Sequence, residues 1–240
     1  MIALPKRVRA ELKAVADPAR APGMQAYMKS AMPFLGVSAV PLRTLCRQLF
    51  AGLTYANSAA WQADVLAIWR GARFREERYA AIALTGIREV RAFQRIDVLP
   101  LYEEMIVTGA WWDHVDNIAG QRLLVLLAND PVPMKQAMRA WSHDADMWKR
   151  RSAILCQLNA KGATDLDLLH DCIAHSLDSP EFFLRKAIGW ALRQYARTDP
   201  AEVSRYVAAH EGRLSALSKR EALKHIGGGG RDEPQAQSNG

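Results

Sequence analysis

The chain has 240 residues, half of them hydrophobic, so it is long enough to bury the core of one or two ordinary domains. Its formal net charge of +7 favours a polyanionic partner, because clustered Lys and Arg attract phosphate. No apolar run approaches the roughly 18 residues needed to span a bilayer, and the first residues lack the apolar core of a signal peptide. We therefore expect a soluble, cytoplasmic monomer without membrane association.

Nearly every segment from Val8 to Ile226 has apolar residues at spacings of three and four, and alternating runs typical of strands are missing. Turn residues divide this pattern into roughly twelve short helices. The breaks fall, in chain order, at positions 22, 34–37, 52–57, 71–74, 95–97, 109, 129–133, 161–164, 179–180, 198–200 and 212–215. The pattern predicts an all-α fold, with residues 1–226 as a single domain and a disordered glycine-rich tail over 227–240.

Local signals also mark where several of these helices begin. Pro133, Pro180 and Pro200 are placed where a first helical turn tolerates proline. Ser218 followed by Glu221 has the spacing of a capping box, which predicts that the last helix opens there.

Five similar segments recur along the chain: ERYAAIALT, DNIAGQRLL, KRRSAILCQ, LRKAIGWAL and SKREALKHI. Their alanines recur every 34 to 38 residues, at Ala81, Ala119, Ala153, Ala187 and Ala222. Such a period predicts an α-solenoid of HEAT-like helical repeats, in which one helix of every pair lines a concave face. Basic residues share one repeat phase, which predicts a basic concave face, although a single Lys or Arg more often only solvates a helix. They are Arg78, Arg150, Arg151, Arg185, Lys186, Lys219 and Arg220.

Other chemistries have little support in the sequence. Cys46, Cys156 and Cys172 lie in apolar helical patterns and are predicted to be reduced packing thiols. The six histidines form no metal-ligand pattern, and no glycine-rich phosphate loop precedes a helix. We expect neither a metal nor a cofactor.

The segment GAWWDHVDNIAG contains the most specific local group of candidate site residues. Trp112 and Asp116 are four residues apart and share one helical face, while Asp113 points elsewhere and is a candidate helix cap. Adjacent tryptophans at a repeat junction are more often packing residues, and an isolated Asp is more often a cap or a salt-bridge partner. A structural role and a catalytic role for Trp112 and Asp116 both stay open from these residues alone.

The blocks WWDHVDNIAG, MWKRRSAILCQL, EFFLRKAIGWALRQYARTDP and LSKREALKHI, together with MQAYMKSAMPFLGV, resemble the DNA alkylation repair enzyme family, the AlkD-like glycosylases. The resemblance covers essentially Pro22 to Ile226. It implies that Asp116 is the catalytic carboxylate and that Trp112 lies beside it. Trp190 would be the second tryptophan of the site. Tyr27 would complete the aromatic surroundings.

The resemblance also implies a partner, which is double-stranded DNA that contains alkylated bases and is held without base flipping. Arg151 corresponds to the family's arginine that contacts the DNA backbone near the lesion. Where the family can carry a lysine after its CQL-like block, this chain has Asn159. The backbone-binding candidates are Arg150, Arg151, Arg185, Lys186, Lys219 and Arg220. Phosphate contacts of this kind give sequence-tolerant binding.

The implied chemistry suits these residue types. Alkylation at N3 or N7 leaves a purine positively charged, so its departure needs no strong general acid. A carboxylate can stabilise the oxocarbenium character of the sugar while it orients water. Indole faces attract cations, which favours a charged lesion.

Two further classes of function remain open. A noncatalytic helical-repeat scaffold that binds DNA or another protein would keep the basic face but would not need Asp116. An RNA-binding repeat protein would need aromatic and base-edge contacts once per repeat, and these have no regular place in the sequence.

Overall fold

The computed structural model describes residues 3–226, so the tail predicted over 227–240 lies outside the described residues. Within 3–226 there are fourteen α-helices and no strand, and the all-α prediction is confirmed. These residues fall into two compact units, 3–94 and 95–226. Over the same range, no helix combines the length and the apolar character that crossing a bilayer requires.

The first unit is built from five helices packed around a hydrophobic core. Leu12, Trp61 and Ala81, from three different helices, have no exposed surface. The helices are α1 (Leu4–Ala14), α2 (Ala21–Met28), α3 (Ala39–Leu49), α4 (Ser58–Gly71) and α5 (Arg75–Leu84). Two short 3₁₀ segments, Arg88–Phe93 at the end of this unit and Ile96–Val98 at the start of the next, follow α5.

A buried carboxylate holds the loop between α2 and α3. Glu76 of α5 has no exposed surface, and its oxygens accept hydrogen bonds from the backbone N–H groups of Leu35, Gly36 and Val37 at 2.9 to 3.1 Å. Burial raises the pKa of Glu76, and these hydrogen bonds offset part of that effect. Glu76 is therefore a structural residue of this unit.

The second unit consists of stacked helix pairs. Its helices are α6 (Leu99–Gly109), α7 (Trp112–Asn117), α8 (Leu124–Asn129), α9 (Pro131–Ser142), α10 (Met147–Leu155), α11 (Leu166–Ala174), α12 (Phe182–Tyr195), α13 (Pro200–Ala209) and α14 (Ala216–Ala222). Helices α7, α10, α12 and α14 are the second members of the pairs, and each packs on the next along the chain. The row that these four helices form carries the predicted site.

Small residues permit this close stacking. The repeat-marking alanines of the second unit, Ala119, Ala153, Ala187 and Ala222, are at most 1% exposed. Gly189 lies where α12 crosses α14, and a Cβ atom there would stand 2.6 Å from Cβ of Glu221. A larger side chain would force the two helices apart, because packed interiors leave no spare volume.

Helix α7 does not end at a loop. It continues through a π-helical segment, Ile118–Leu123, directly into α8. Such a segment accommodates an additional residue in a helix and is frequent at functional sites. The sequence pattern predicted one continuous helix here, but periodicity over so short a stretch does not reveal the π geometry.

Two predicted helix starts are wrong. Ser215, not Ser218, caps α14, because its hydroxyl accepts a hydrogen bond from the Ser218 backbone N–H at 3.0 Å. Ser218 is buried inside the helix and donates to the carbonyl of Arg185. Pro180 precedes the N-cap residue of α12 and lies outside the helix. The prediction for Pro200 is confirmed, since it is the first residue of α13.

The three cysteines are buried free thiols, as predicted. Burial raises the pKa of Cys46 and of Cys172 to about 12, so both remain protonated at neutral pH. Burial also raises the pKa of Cys156. All three side chains act as small hydrophobic groups.

Candidate active site

Asp116 lies in the last turn of α7, immediately before the π segment. Its carboxylate forms a two-point ion pair with Arg151 of α10, with 2.7 Å from Nε to Oδ1 and 2.8 Å from Nη2 to Oδ2. The side chains of Asp116 and Arg151 are only 12% and 5% exposed. Of the two structural interpretations of Asp116, the helix cap is wrong, because the residue lies within the helix, and the salt-bridge partner is confirmed. Asp113 lies in the first turn of α7, and its role as a cap stays a prediction.

The same guanidinium reaches a third helix of the row. Arg151 Nη1 donates to the backbone carbonyl of Phe183, in the first turn of α12. The guanidinium carbon lies 5.8 Å from the centre of the Phe183 ring. One side chain thus connects α7, α10 and α12, which are successive second helices of the stack.

Ion pairs between residues equally far apart in the sequence also occur elsewhere in this unit. Asp116 and Arg151 are 35 residues apart, and the same separation joins Arg213 to Asp178. The side chains of Arg213 and Asp178 are 54% and 61% exposed. Stacking of repeats therefore accounts for the 35-residue separation of the partners along the sequence. It does not account for the burial of the Asp116–Arg151 pair.

Two opposing effects act on the acidity of Asp116. Burial raises the pKa of its carboxyl above that of an ordinary aspartate, and the nearby charge of Asp113 acts in the same direction. The hydrogen bonds and the charge of Arg151 offset part of this shift. The carboxylate is thus a stronger proton acceptor than a surface aspartate, and Arg151 favours its ionised form.

An aromatic cluster borders the ion pair. The ring centre of Trp111 lies 5.4 Å from that of Phe183, and the ring centre of Trp148 lies 5.1 Å from that of Phe183. The two indole centres are 6.1 Å apart. Phe182, which is exposed, packs edge-on against Phe183. The sequence interpretation did not assign roles to these residues, although each lies in one of the blocks that carry the family resemblance. A signal was present in the adjacent aromatic pairs WW and FF, but packing explains such pairs equally well.

The two tryptophans predicted for the site lie on different helices of the row. Trp112 is the first residue of α7, one helical turn before Asp116, and the two share a face as predicted. Trp190 follows Gly189 in α12. Both side chains are partly exposed, in contrast to the fully buried Trp61 and Trp69 of the first unit. Their roles at the site stay predictions.

Tyr27 belongs to the first unit, where it lies near the end of α2. It is 76% exposed. An exposed aromatic side chain of this size is available for a ligand, and its assignment to the aromatic surroundings of the site stays a prediction.

Several of the basic residues predicted to bind phosphate have partners within the protein. Lys186 Nζ lies 3.1 Å from Glu221 Oε1, and Arg193 binds the other oxygen of the same carboxylate. The two cations hold the pKa of Glu221 below its usual range, against the opposing effect of burial. Glu221 therefore neutralises part of the positive charge on α12, which the sequence pattern did not predict.

The remaining basic candidates lie on α10, α12 and α14, or at their ends. Arg185 Nε donates to the Ser179 carbonyl at 2.8 Å, and Lys219 Nζ donates to a backbone carbonyl at 3.2 Å. Arg220 is exposed, and Arg150 is partly exposed with a buried Nε that lacks a hydrogen-bond partner. Placement on successive second helices agrees with the predicted basic face, whereas contact with DNA stays a prediction.

Asn159, which stands where the family can carry a lysine, has a structural contact. Its side-chain amide donates to the carbonyl of Gly120 at 2.9 Å. Gly120 lies in the π segment that follows Asp116. The amide thus supports the backbone next to the candidate carboxylate.

Metal ligation has no basis in residues 3–226, where no three His, Cys, Asp or Glu side chains form a group that could hold an ion. Stacked helix pairs, a buried carboxylate paired with arginine, and partly exposed indoles together define a helical-repeat protein with a candidate acid–base site.

The chain belongs to the DNA alkylation repair enzyme family, whose model matches residues 8–226. It is similar to a solved structure described as a predicted DNA alkylation repair enzyme from Enterococcus faecalis, with 30% sequence identity and a TM-score of 0.73. The similarity covers 89% of this chain and 98% of that chain. No curated protein matches the sequence. Membership in this family indicates that the protein acts in DNA repair.

Proposed function

We propose that this protein is a DNA glycosylase that hydrolyses the N-glycosidic bond of cationic alkylated purines, N3-alkyladenine and N7-alkylguanine, in duplex DNA. The observation that carries the proposal is the buried Asp116 carboxylate, held at two points by Arg151 on a row of helices that also bears Trp112 and Trp190. No cofactor takes part in the proposed reaction.

Asp116 supplies the negative charge that the reaction needs. Loss of the base builds positive charge on the deoxyribose, and a carboxylate in a water-poor site stabilises such charge more strongly than one in bulk water. Each carboxylate oxygen uses one lone pair for Arg151 and retains another for a water molecule or for the sugar. The raised pKa caused by burial also makes Asp116 a better acceptor for the proton of the attacking water.

No second carboxylate is required as a general acid. The alkylated purine already carries a positive charge, so it leaves as a neutral base without being protonated. A two-carboxylate arrangement of the kind used for ordinary glycosides would add nothing to this step. The chemistry is thus consistent with a site centred on one aspartate.

The tryptophans give the site its preference for charged lesions. A cation over an indole face gains roughly 0.5 to 2 kcal/mol, depending on how far the site is desolvated. Trp112 and Trp190 are partly exposed and can present their faces to the lesion or to the developing sugar cation. Uncharged nucleotides gain much less from such contacts, which favours selectivity without a tight base pocket.

The solvent-accessible basic residues of α10, α12 and α14 bind the duplex through its phosphates. Contacts of this kind carry no sequence information, so recognition follows the lesion. Binding should also weaken steeply with salt, because each phosphate contact releases counterions. A monomer in the cytoplasm remains our expectation for the working form.

Release of free base from methylated duplex DNA tests the proposal. Wild type, Asp116→Asn and Asp113→Asn are compared, and released bases are separated chromatographically. We expect release by wild type and by Asp113→Asn, and loss of at least roughly 100-fold in Asp116→Asn, the scale of one electrostatic group at a reaction centre. Asp113→Asn is the matched control, because it removes one carboxylate charge from the same helix. Absence of release by wild type would overturn the proposal and favour a noncatalytic DNA-binding scaffold.

A further inference from the structure

Arg151 differs from the other basic candidates in how fully the protein uses it. All three guanidinium nitrogens have protein acceptors, with Nε and Nη2 on Asp116 and Nη1 on the Phe183 carbonyl. Its side chain is 5% exposed, whereas that of Lys186 is 40% exposed. A phosphate contact needs a cation that solvent and DNA can reach. Burial of Arg151 and the engagement of all three of its nitrogens, through three of its five N–H donors, argue for a role inside the protein.

We propose that Arg151 is a positioning residue, which fixes the plane of the Asp116 carboxylate and keeps it ionised, and that it is not a phosphate ligand. The catalytic consequence rests on the proposed function of Asp116. The placement itself rests only on the two-point contact and on the link to Phe183. It departs from the backbone contact that the family resemblance implies for this arginine.

The geometry explains how positioning would work. Two parallel N–H···O bonds lock both rotation and tilt of a carboxylate, which a single contact cannot do. The free lone pairs of Asp116 then point in set directions toward water and sugar. The additional bond to Phe183 ties the start of α12 to the same guanidinium. Because α12 also carries Trp190, Arg151 sets the register between the carboxylate and the second indole.

The electrostatics agree with this role. The charged groups that act on Asp116 are Arg151, from α10, and Asp113, from its own helix. Arg151 alone favours ionisation, against burial and the charge of Asp113. Its removal would leave a desolvated carboxylate without an opposing positive charge, and the proton would bind more readily.

The experiment compares Arg151→Met and Arg151→Lys with wild type by three readouts. The first is the titration of the Asp116 carboxyl carbon by NMR, assigned with the Asp116→Asn variant. The second is single-turnover base release from methylated duplex. The third is the dependence of unmodified duplex binding on KCl concentration.

We expect Arg151→Met to raise the pKa of Asp116 and to slow base release at neutral pH by roughly 100-fold, the cost of a misplaced catalytic group. The salt slope of DNA binding should not change. Arg220→Met, at an exposed arginine, is the matched control. It should reduce the salt slope by about one, the change expected for one lost phosphate contact. Arg151→Lys keeps the positive charge but loses the two-point contact, so it too should release base slowly.

An unchanged Asp116 titration together with a salt slope lowered by about one in Arg151→Met would overturn the proposal. Near-wild-type release by Arg151→Lys would do the same, because a phosphate ligand needs only the charge. Arg151→Lys also decides the question if Arg151→Met does not fold. Absence of base release by wild type would refute the proposed function alone, since the Asp116 titration still tests the placement of Arg151.

Discussion

Removal of the Asp116–Arg151 pair should separate catalysis from stability. Asp116→Leu would leave the guanidinium buried without its counter-charge, which typically costs about 3–5 kcal/mol of unfolding free energy. For a domain of this size, this corresponds to a fall in Tm of roughly 6–20 °C, at about 2–4 °C per kcal/mol. The size of the effect follows from burial, because the two side chains are only 12% and 5% exposed.

The double variant Asp116→Leu/Arg151→Met should recover most of this loss. Replacing a buried ion pair by apolar residues is often neutral or stabilising, because neither charge must then be desolvated. We therefore expect unfolding free energies, measured in urea by circular dichroism, to be strongly non-additive. The double variant should fold as stably as wild type within about 1 kcal/mol and still release no base.

A simple sum of the two single losses in the double variant would refute this reasoning. It would mean that the side chains contribute independently and that the ion pair has no special electrostatic cost. The exposed pair of Arg213 and Asp178 is the internal control. Deleting either partner there should leave the unfolding free energy close to that of wild type, because solvent screens an exposed ion pair.

Two further predictions concern acidity and packing. Base release should be lost on acidification at a higher pH than for an ordinary aspartate, because burial raises the pKa of Asp116 and only its ionised form stabilises the sugar cation. Asp113→Asn should move this acid limb to lower pH, and an unmoved limb in single-turnover rates would count against Asp116 as the titrating group. Gly189→Ala should lower the unfolding free energy by about 1–3 kcal/mol, because the new methyl group would overlap Glu221 on α14. Equal or higher stability in urea unfolding would contradict the close packing of α12 on α14.

Local patterns predicted the secondary structure better than they predicted helix ends. The all-α class follows from the spacing of apolar residues by three and four, because this spacing recurs at every helical turn. The start of α14 depends instead on which serine has its hydroxyl over the first turn, and Ser215 rather than Ser218 does. The π segment after Asp116 was also beyond local pattern, because its geometry depends on the packing around it.

The candidate site shows a similar division. The sequence blocks that carry the family resemblance are sufficient to single out Asp116, Trp112 and Trp190. They do not show that Asp116 binds Arg151 through both oxygens. The aromatic neighbours Trp148 and Phe183 were also missed, since packing and function leave the same signature in a single sequence.

The sequence by itself determined the all-α class, the repeat period and the family, because these depend on the identity and spacing of residues along the chain. The tertiary structure decided which charges meet. Asp116 and Arg151 are 35 residues apart, and Lys186 and Glu221 are separated by the same distance along the chain. Only the stacking of successive helices brings such partners together. The burial that goes with stacking turns the first pair into a desolvated carboxylate, whereas it leaves Arg220 exposed to solvent.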